Sequence, residues 1–112
     1  MDAVTEDLGC FWIELAGLLE AGKPLLSALR AAQRACVSPA ARSAVAQAVE
    51  TVAGGSTLSD ALQAQPEFFG PGAMHVMRGG EYLGMIDRTA RLIADASQAC
   101  PDCAAWRGAR QD

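Results

Sequence analysis

The chain has 112 residues, enough for one hydrophobic core and too few for two. Hydrophobic residues make up 51% and aromatic ones only 5%, an Ala- and Leu-rich balance that excludes general disorder and favours helix over strand. With 13 acidic against 9 basic residues the formal charge is -4, and Arg30, Arg34, Arg42, Arg78, Arg88 and Arg91 are scattered along the chain; no basic face is offered to nucleic acid or to an anionic bilayer.

Turn signals divide the sequence into about six helical pieces. Leu8, Phe11, Trp12, Leu15, Leu18, Leu19 and Gly22 recur at three- and four-residue steps, so they share one helix face. Gly22 closes this helix as a C-terminal cap, and Pro24 opens the next one in its first turn, where the missing N–H costs nothing. The second helix carries Leu25, Ala28, Leu29, Ala32 and Cys36 on one stripe. Ser38-Pro39 repeats the start signal, and Ala41, Val45, Ala48, Val49 and Val52 follow at helical spacing up to Gly54-Gly55. Ser56 or Thr57 caps a short fourth helix, Leu58-Ser59-Asp60-Ala61-Leu62, which Pro66 stops. Phe68 and Phe69 plug the Gly70-Pro71-Gly72 turn, and a fifth helix runs through Met74, Val76 and Met77 to Gly79-Gly80-Glu81. After Gly84 a sixth helix places Ile86, Ala90, Ile93, Ser97 and Cys100 on one face before Pro101. Connections this short predict an all-α, compact six-helix antiparallel bundle over residues 1–99. The tail 100–112, with its C-x-x-C pair, is expected to be poorly ordered.

No run reaches the roughly 18 consecutive apolar residues needed to span a bilayer, and the acidic stretch Met1–Asp7 is unlike the basic start of a signal peptide. Direct membrane insertion by this chain is not expected. In a cytosolic setting its four cysteines would be mostly reduced.

Three segments, in order, carry a resemblance. The first is Phe11, Leu15 and Leu18-Leu19 leading into Ala21-Gly22-Lys23-Pro24-Leu25-Leu26-Ser27-Ala28-Leu29. The second is Gly55-Ser56-Thr57-Leu58-Ser59-Asp60-Ala61-Leu62 with Pro66 and Phe68-Phe69 behind it. The third is Met77 followed by Gly80-Glu81-Tyr82-Leu83-Gly84-Met85-Ile86-Asp87. Together they resemble the F family of inner-membrane platform proteins of type II secretion systems and type IV pili. The likeness covers roughly positions 8 to 96; Leu83, Gly79 and everything after Ala99 depart from the family pattern. The resemblance implies a six-helix domain on the cytoplasmic face of the bacterial inner membrane. It also implies a scaffold that contacts the assembly ATPase and other inner-membrane platform proteins, and that associates as a homo-oligomer. A free-standing helical adaptor is the alternative, with a metal- or redox-responsive protein behind it.

The shared residues have physical readings of their own. Gly22 and Pro24 fit a left-handed cap and a preset first turn. Leu58, Ala61 and Leu62 read as core contacts, and Ser59 and Asp60 as cap or surface residues. Glu81, between Gly80 and Gly84, reads either as an acceptor for free N–H groups at the start of the sixth helix or, with Asp87, as a cation site, although two carboxylates fall short of a calcium shell. Cys10 and Cys36 lie about equally far from the Gly22-Lys23 turn, which makes them neighbours in a hairpin, either as two buried thiols or as a disulfide. Cys100 and Cys103 could form half of a zinc site, with His75 as the only histidine; a thiolate is disfavoured after a helix C-terminus. No nucleophile–base pairing and no phosphate-cradling loop is present, so neither an enzymatic activity nor a cofactor is expected. Leu26, Leu83 and Leu92 lie off the main stripes and are the candidates for a partner surface.

Overall fold

The computed structural model describes residues 3–99 and Trp106. Six helices account for nearly all of it: α1 (Ala3–Glu20), α2 (Leu25–Gln33), α3 (Pro39–Ala53), α4 (Leu58–Gln63), α5 (Pro71–Leu83) and α6 (Ile86–Ala99). The all-α bundle expected from the sequence is the observed architecture.

Local chemistry sets the helix limits. Lys23 donates its N–H to the Leu18 carbonyl and Gly22 to that of Leu19, with Gly22 at φ 86°; this paired closure needs a left-handed residue, which glycine adopts without a Cβ penalty. The same bonding recurs at the ends of α3 and α5, from Ser56 to Thr51 and from Met85 to Gly80. At the other ends, Ser38 Oγ accepts the Ala41 N–H with Pro39 inside the first turn, and Thr57 Oγ accepts the Asp60 N–H. Thr57, rather than Ser56, therefore caps α4.

Each helix packs on the next, and α6 closes the ring by packing along α1. Glu20 meets Arg91 near one end of that closing pair, while Gly9 approaches Gln98 near the other, so α1 and α6 run antiparallel. Phe11, Trp12, Leu15 and Ala16 from α1 are buried with Leu29, Val45, Leu58, Leu62, Phe69, Met77 and Ile93 from around the ring. Phe11 sits at the centre of the aromatic group, edge-on to Trp12 at 5.1 Å and tilted against Phe69 at 6.1 Å. Side chains of this size contribute roughly 1.5–3 kcal/mol each on burial, so this ring-shaped core is the main source of stability. Cys36 is buried as expected, but it lies beyond the end of α2, in the turn leading to α3.

Candidate functional site

Two of the motif segments meet at the seam between α4 and α5. Glu81, near the end of α5, accepts the Ser59 backbone N–H on Oε2 at 2.8 Å and the Ser59 hydroxyl on Oε1 at 2.6 Å. Ser59 is the second residue of α4, so its N–H has no partner within its own helix. A carboxylate there is doubly favoured, by charge-assisted hydrogen bonds and by the positive end of the helix dipole. Glu81 thus acts at a helix start, but at that of α4 and not that of α6. The sequence reading missed this because pairing across 22 residues has no local signature.

Arg78, one turn before Glu81, extends the seam. Its guanidinium donates to Asp60 Oδ1 at 3.3 Å, to Gln63 Oε1 at 3.0 Å and, through Nε, to Ser59 Oγ at 3.4 Å. The pairs 59–81, 60–78 and 63–78 place α4 and α5 antiparallel. Ser59 is buried, while Arg78 and Asp60 are about half exposed, so the cluster has a dry end at Ser59 and a wet end at Arg78.

The glycines of the third segment serve this geometry. A Cβ on Gly80 would lie 2.7 Å from Thr89 Cβ on α6, closer than two carbons can approach. The bare Gly80 lets α6 settle against α5 immediately behind Glu81. Thr89 itself is buried, and its hydroxyl donates to the Met85 carbonyl at 2.7 Å. Gly84 then ends α5 in the left-handed region, at φ 71°. Leu58, Ala61 and Leu62 are buried in the core as expected.

Both Glu81 oxygens are engaged by Ser59, and Asp87 is exposed in the first turn of α6. Among the described residues no three His, Cys, Asp or Glu side chains converge on one point. The Glu81 carboxylate is therefore engaged at the start of α4. Cys100 and Cys103 lie outside the described residues. Trp106 is half-buried against the core, and its carbonyl accepts the Gly70 N–H at 3.2 Å. This contact ties a residue of the 100–112 segment to the start of α5.

The three leucines named as a partner surface separate. Leu26 packs, partly buried, against the core and contributes to the fold. Leu83 and Leu92 are 68% and 55% exposed, and Tyr82, beside Leu83, is 91% exposed. Tyr82 was not expected; it follows Glu81 in the last turn of α5 and stands in solvent.

Residues 11–99 match the family described as Type II secretion system (T2SS), protein F. The chain belongs to that family. It is also similar to the type 4 fimbrial assembly protein PilC of Pseudomonas putida, at 37% identity over 81 residues that cover 72% of this chain and 20% of that protein. The chain thus spans about a fifth of the length of that relative. No helix among the described residues is long and apolar enough to cross a membrane. The matched span contains the whole α4–α5 seam, so the contact between Ser59 and Glu81 lies within the family domain.

Proposed function

We propose that this chain is a non-enzymatic scaffold domain of a type II secretion or type IV pilus inner-membrane platform. In this reading it lies at the cytoplasmic face, where it contacts the assembly ATPase and neighbouring platform components and associates with copies of itself. One observation carries the reading. Glu81 is engaged on Ser59, and Arg78 on Asp60 and Gln63, within the fold, while the large side chains of Tyr82, Leu83 and Leu92 remain exposed. Residues tied off in this way hold helices in register, and exposed apolar side chains on a rigid bundle suit protein contact.

Calorimetry with the cognate assembly ATPase tests the proposal, using the chain both free and tethered to a membrane. Binding is expected, and Leu83→Ser and Leu92→Ser should weaken it severalfold while the helical circular dichroism stays unchanged. Absence of binding in both forms would overturn the reading. Loss of folding in the leucine variants would show those residues to be structural.

A further inference from the structure

We propose that Cys10 and Cys36 are a redox pair, able to close into a disulfide that staples α1 to the turn between α2 and α3. The inference is independent of the scaffold reading and rests on how the chain approaches α1 at that turn.

Three contacts fix the approach. Asp7 Oδ2 accepts the N–H groups of Val37 and Ser38 at 2.9 and 2.6 Å, and the Cys36 thiol lies 4.0 Å from the Asp7 carbonyl oxygen. Residues 36–38 are therefore laid directly against the turn of α1 that begins at Asp7. Cys10 is three residues further along that helix and so shares its face with Asp7. In a helix the γ atom of residue i+3 can reach the carbonyl of residue i; Ser97 does so here with the Ala94 carbonyl at 3.0 Å. The Cys10 side chain can therefore turn toward the carbonyl that the Cys36 thiol already lies against. Electrostatics agrees, since ionisation of Cys10 opposes that of Cys36.

The two thiols differ in the way a two-step oxidation requires. Cys10 is exposed, and Cys36 is buried. A low-molecular-weight disulfide such as oxidised glutathione can reach Cys10, whose thiolate attacks one of its sulfurs and releases one glutathione thiolate. The Cys36 thiol then gives up its proton and attacks Cys10 Sγ in the mixed disulfide, expelling the second glutathione. The protein loses two protons and two electrons, and the oxidant becomes two glutathione molecules. Both sulfurs start unpaired, and closure calls for rotation of the exposed Cys10 side chain together with a shift of the 36–38 turn toward it. In the oxidised state α1 would be held covalently to the start of α3, where Asp7 already holds it by hydrogen bonds.

The test uses the full chain, oxidised with a glutathione disulfide gradient and digested with trypsin without reduction. Lys23 precedes Pro24 and resists cleavage, so Cys10 lies in the peptide 1–30, Cys36 in 35–42, and Cys100 with Cys103 in 92–107. The expected product is peptide 1–30 joined to peptide 35–42, formed within single chains. It should be accompanied by a rise in melting temperature on the order of 10 °C, reversed by dithiothreitol and absent in Cys10→Ser. The proposal is overturned if exhaustive oxidation leaves both peptides separately alkylatable, if Cys10 pairs only between chains, or if Cys36 pairs only with Cys100 or Cys103. Repeating the mapping with Cys100→Ser/Cys103→Ser removes competition from the tail, and the 1–30 to 35–42 link must persist there.

Discussion

Asp7 and Glu81 do the same job at two places in the ring. Each is a carboxylate on one helix that captures backbone N–H groups at the start of another, Asp7 ahead of α3 and Glu81 at α4. They differ in setting. Asp7 is 5% exposed and uses one oxygen for two backbone N–H groups on successive residues. Glu81 is half-buried and places both oxygens on a single residue, with Arg78 also bonded to that residue's hydroxyl. A buried carboxylate with only backbone donors has no substitute when lost. A half-buried one can be replaced in part by water reaching it from the Arg78 side. The Asp7 contact should therefore matter more for stability, and the Glu81 contact more for the register of α4 on α5.

The largest effect should come from neither carboxylate but from the glycine behind Glu81. Gly80→Ala places a methyl group against the side chain of Thr89, and α5 and α6 must separate to admit it. A loss of about 2–3 kcal/mol is expected from overpacking, read by urea unfolding. Because the helix gains propensity from alanine, a neutral result would show that the α5–α6 approach is looser than described.

The two carboxylates come next. Asp7→Ala leaves the Val37 and Ser38 N–H groups without their acceptor and should cost about 2 kcal/mol. Asp7→Asn, which keeps one acceptor oxygen, should cost less. Glu81→Gln keeps an acceptor for Ser59 and loses the charge, so about 1 kcal/mol is expected. A double-mutant cycle of Glu81→Gln with Ser59→Ala should show coupling, because both changes act on one pair of hydrogen bonds. Equal costs for Asp7→Ala and Glu81→Gln would erase the distinction between the fully buried and the half-buried carboxylate.

Cys36 offers a further probe of the Asp7 side. Burial first, then the nearby Asp7 and Cys10, push its thiol up from 9.0 to about 11. A group whose folded value is raised stabilises the fold below its ordinary value and loses that contribution as pH climbs through the folded one. Wild-type stability should therefore fall more steeply between pH 9 and 11 than that of Cys36→Ala. Cys36 should also be alkylated long after Cys10 in the native protein. Alkylation at equal rates would show that the turn opens freely despite Asp7.

How far the sequence reveals these contacts follows from their range. Helix limits are local chemistry: Gly22, Pro24, Ser38, Pro71 and Gly84 announce themselves within three or four residues, whereas the choice of Thr57 over Ser56 and the end of α2 at Gln33 come from the structure. The core stripes of α1 and α3 are equally legible, because burial recurs with the helical period. The partners of Asp7 and Glu81 lie 30 and 22 residues away, and no periodicity encodes a contact between helices. Glu81 still drew notice because it stands between glycines, which flagged the place while leaving the partner helix misassigned. Asp7, in an ordinary acidic stretch, gave no such sign. Leu26 shows the converse: lying off the stripe suggested a surface role, yet it packs, partly buried, against the core.

A third carboxylate completes the comparison and should show the smallest effect. Glu20, at the end of α1, pairs through both oxygens with Arg91 on α6, at 3.0 and 2.8 Å. Geometrically this is a two-bonded contact like the other two. Its partner, however, is a mobile side chain in water rather than a fixed N–H with nothing else to bond. The Arg91 hydrogen bond holds the Glu20 carboxyl below its ordinary value of 4.5. A depressed folded value means that the contribution is present above pH 4.5 and fades as the pH falls through the lower one. Glu20→Gln should therefore leave neutral-pH stability almost unchanged and flatten only a slight acid-side slope, while an NMR titration of wild-type Glu20 should show the lowered midpoint. If Glu20→Gln instead cost as much as Glu81→Gln, the charge rather than the orphaned backbone N–H would be what makes these carboxylates matter, and the ranking of Asp7 above Glu81 would lose its physical basis.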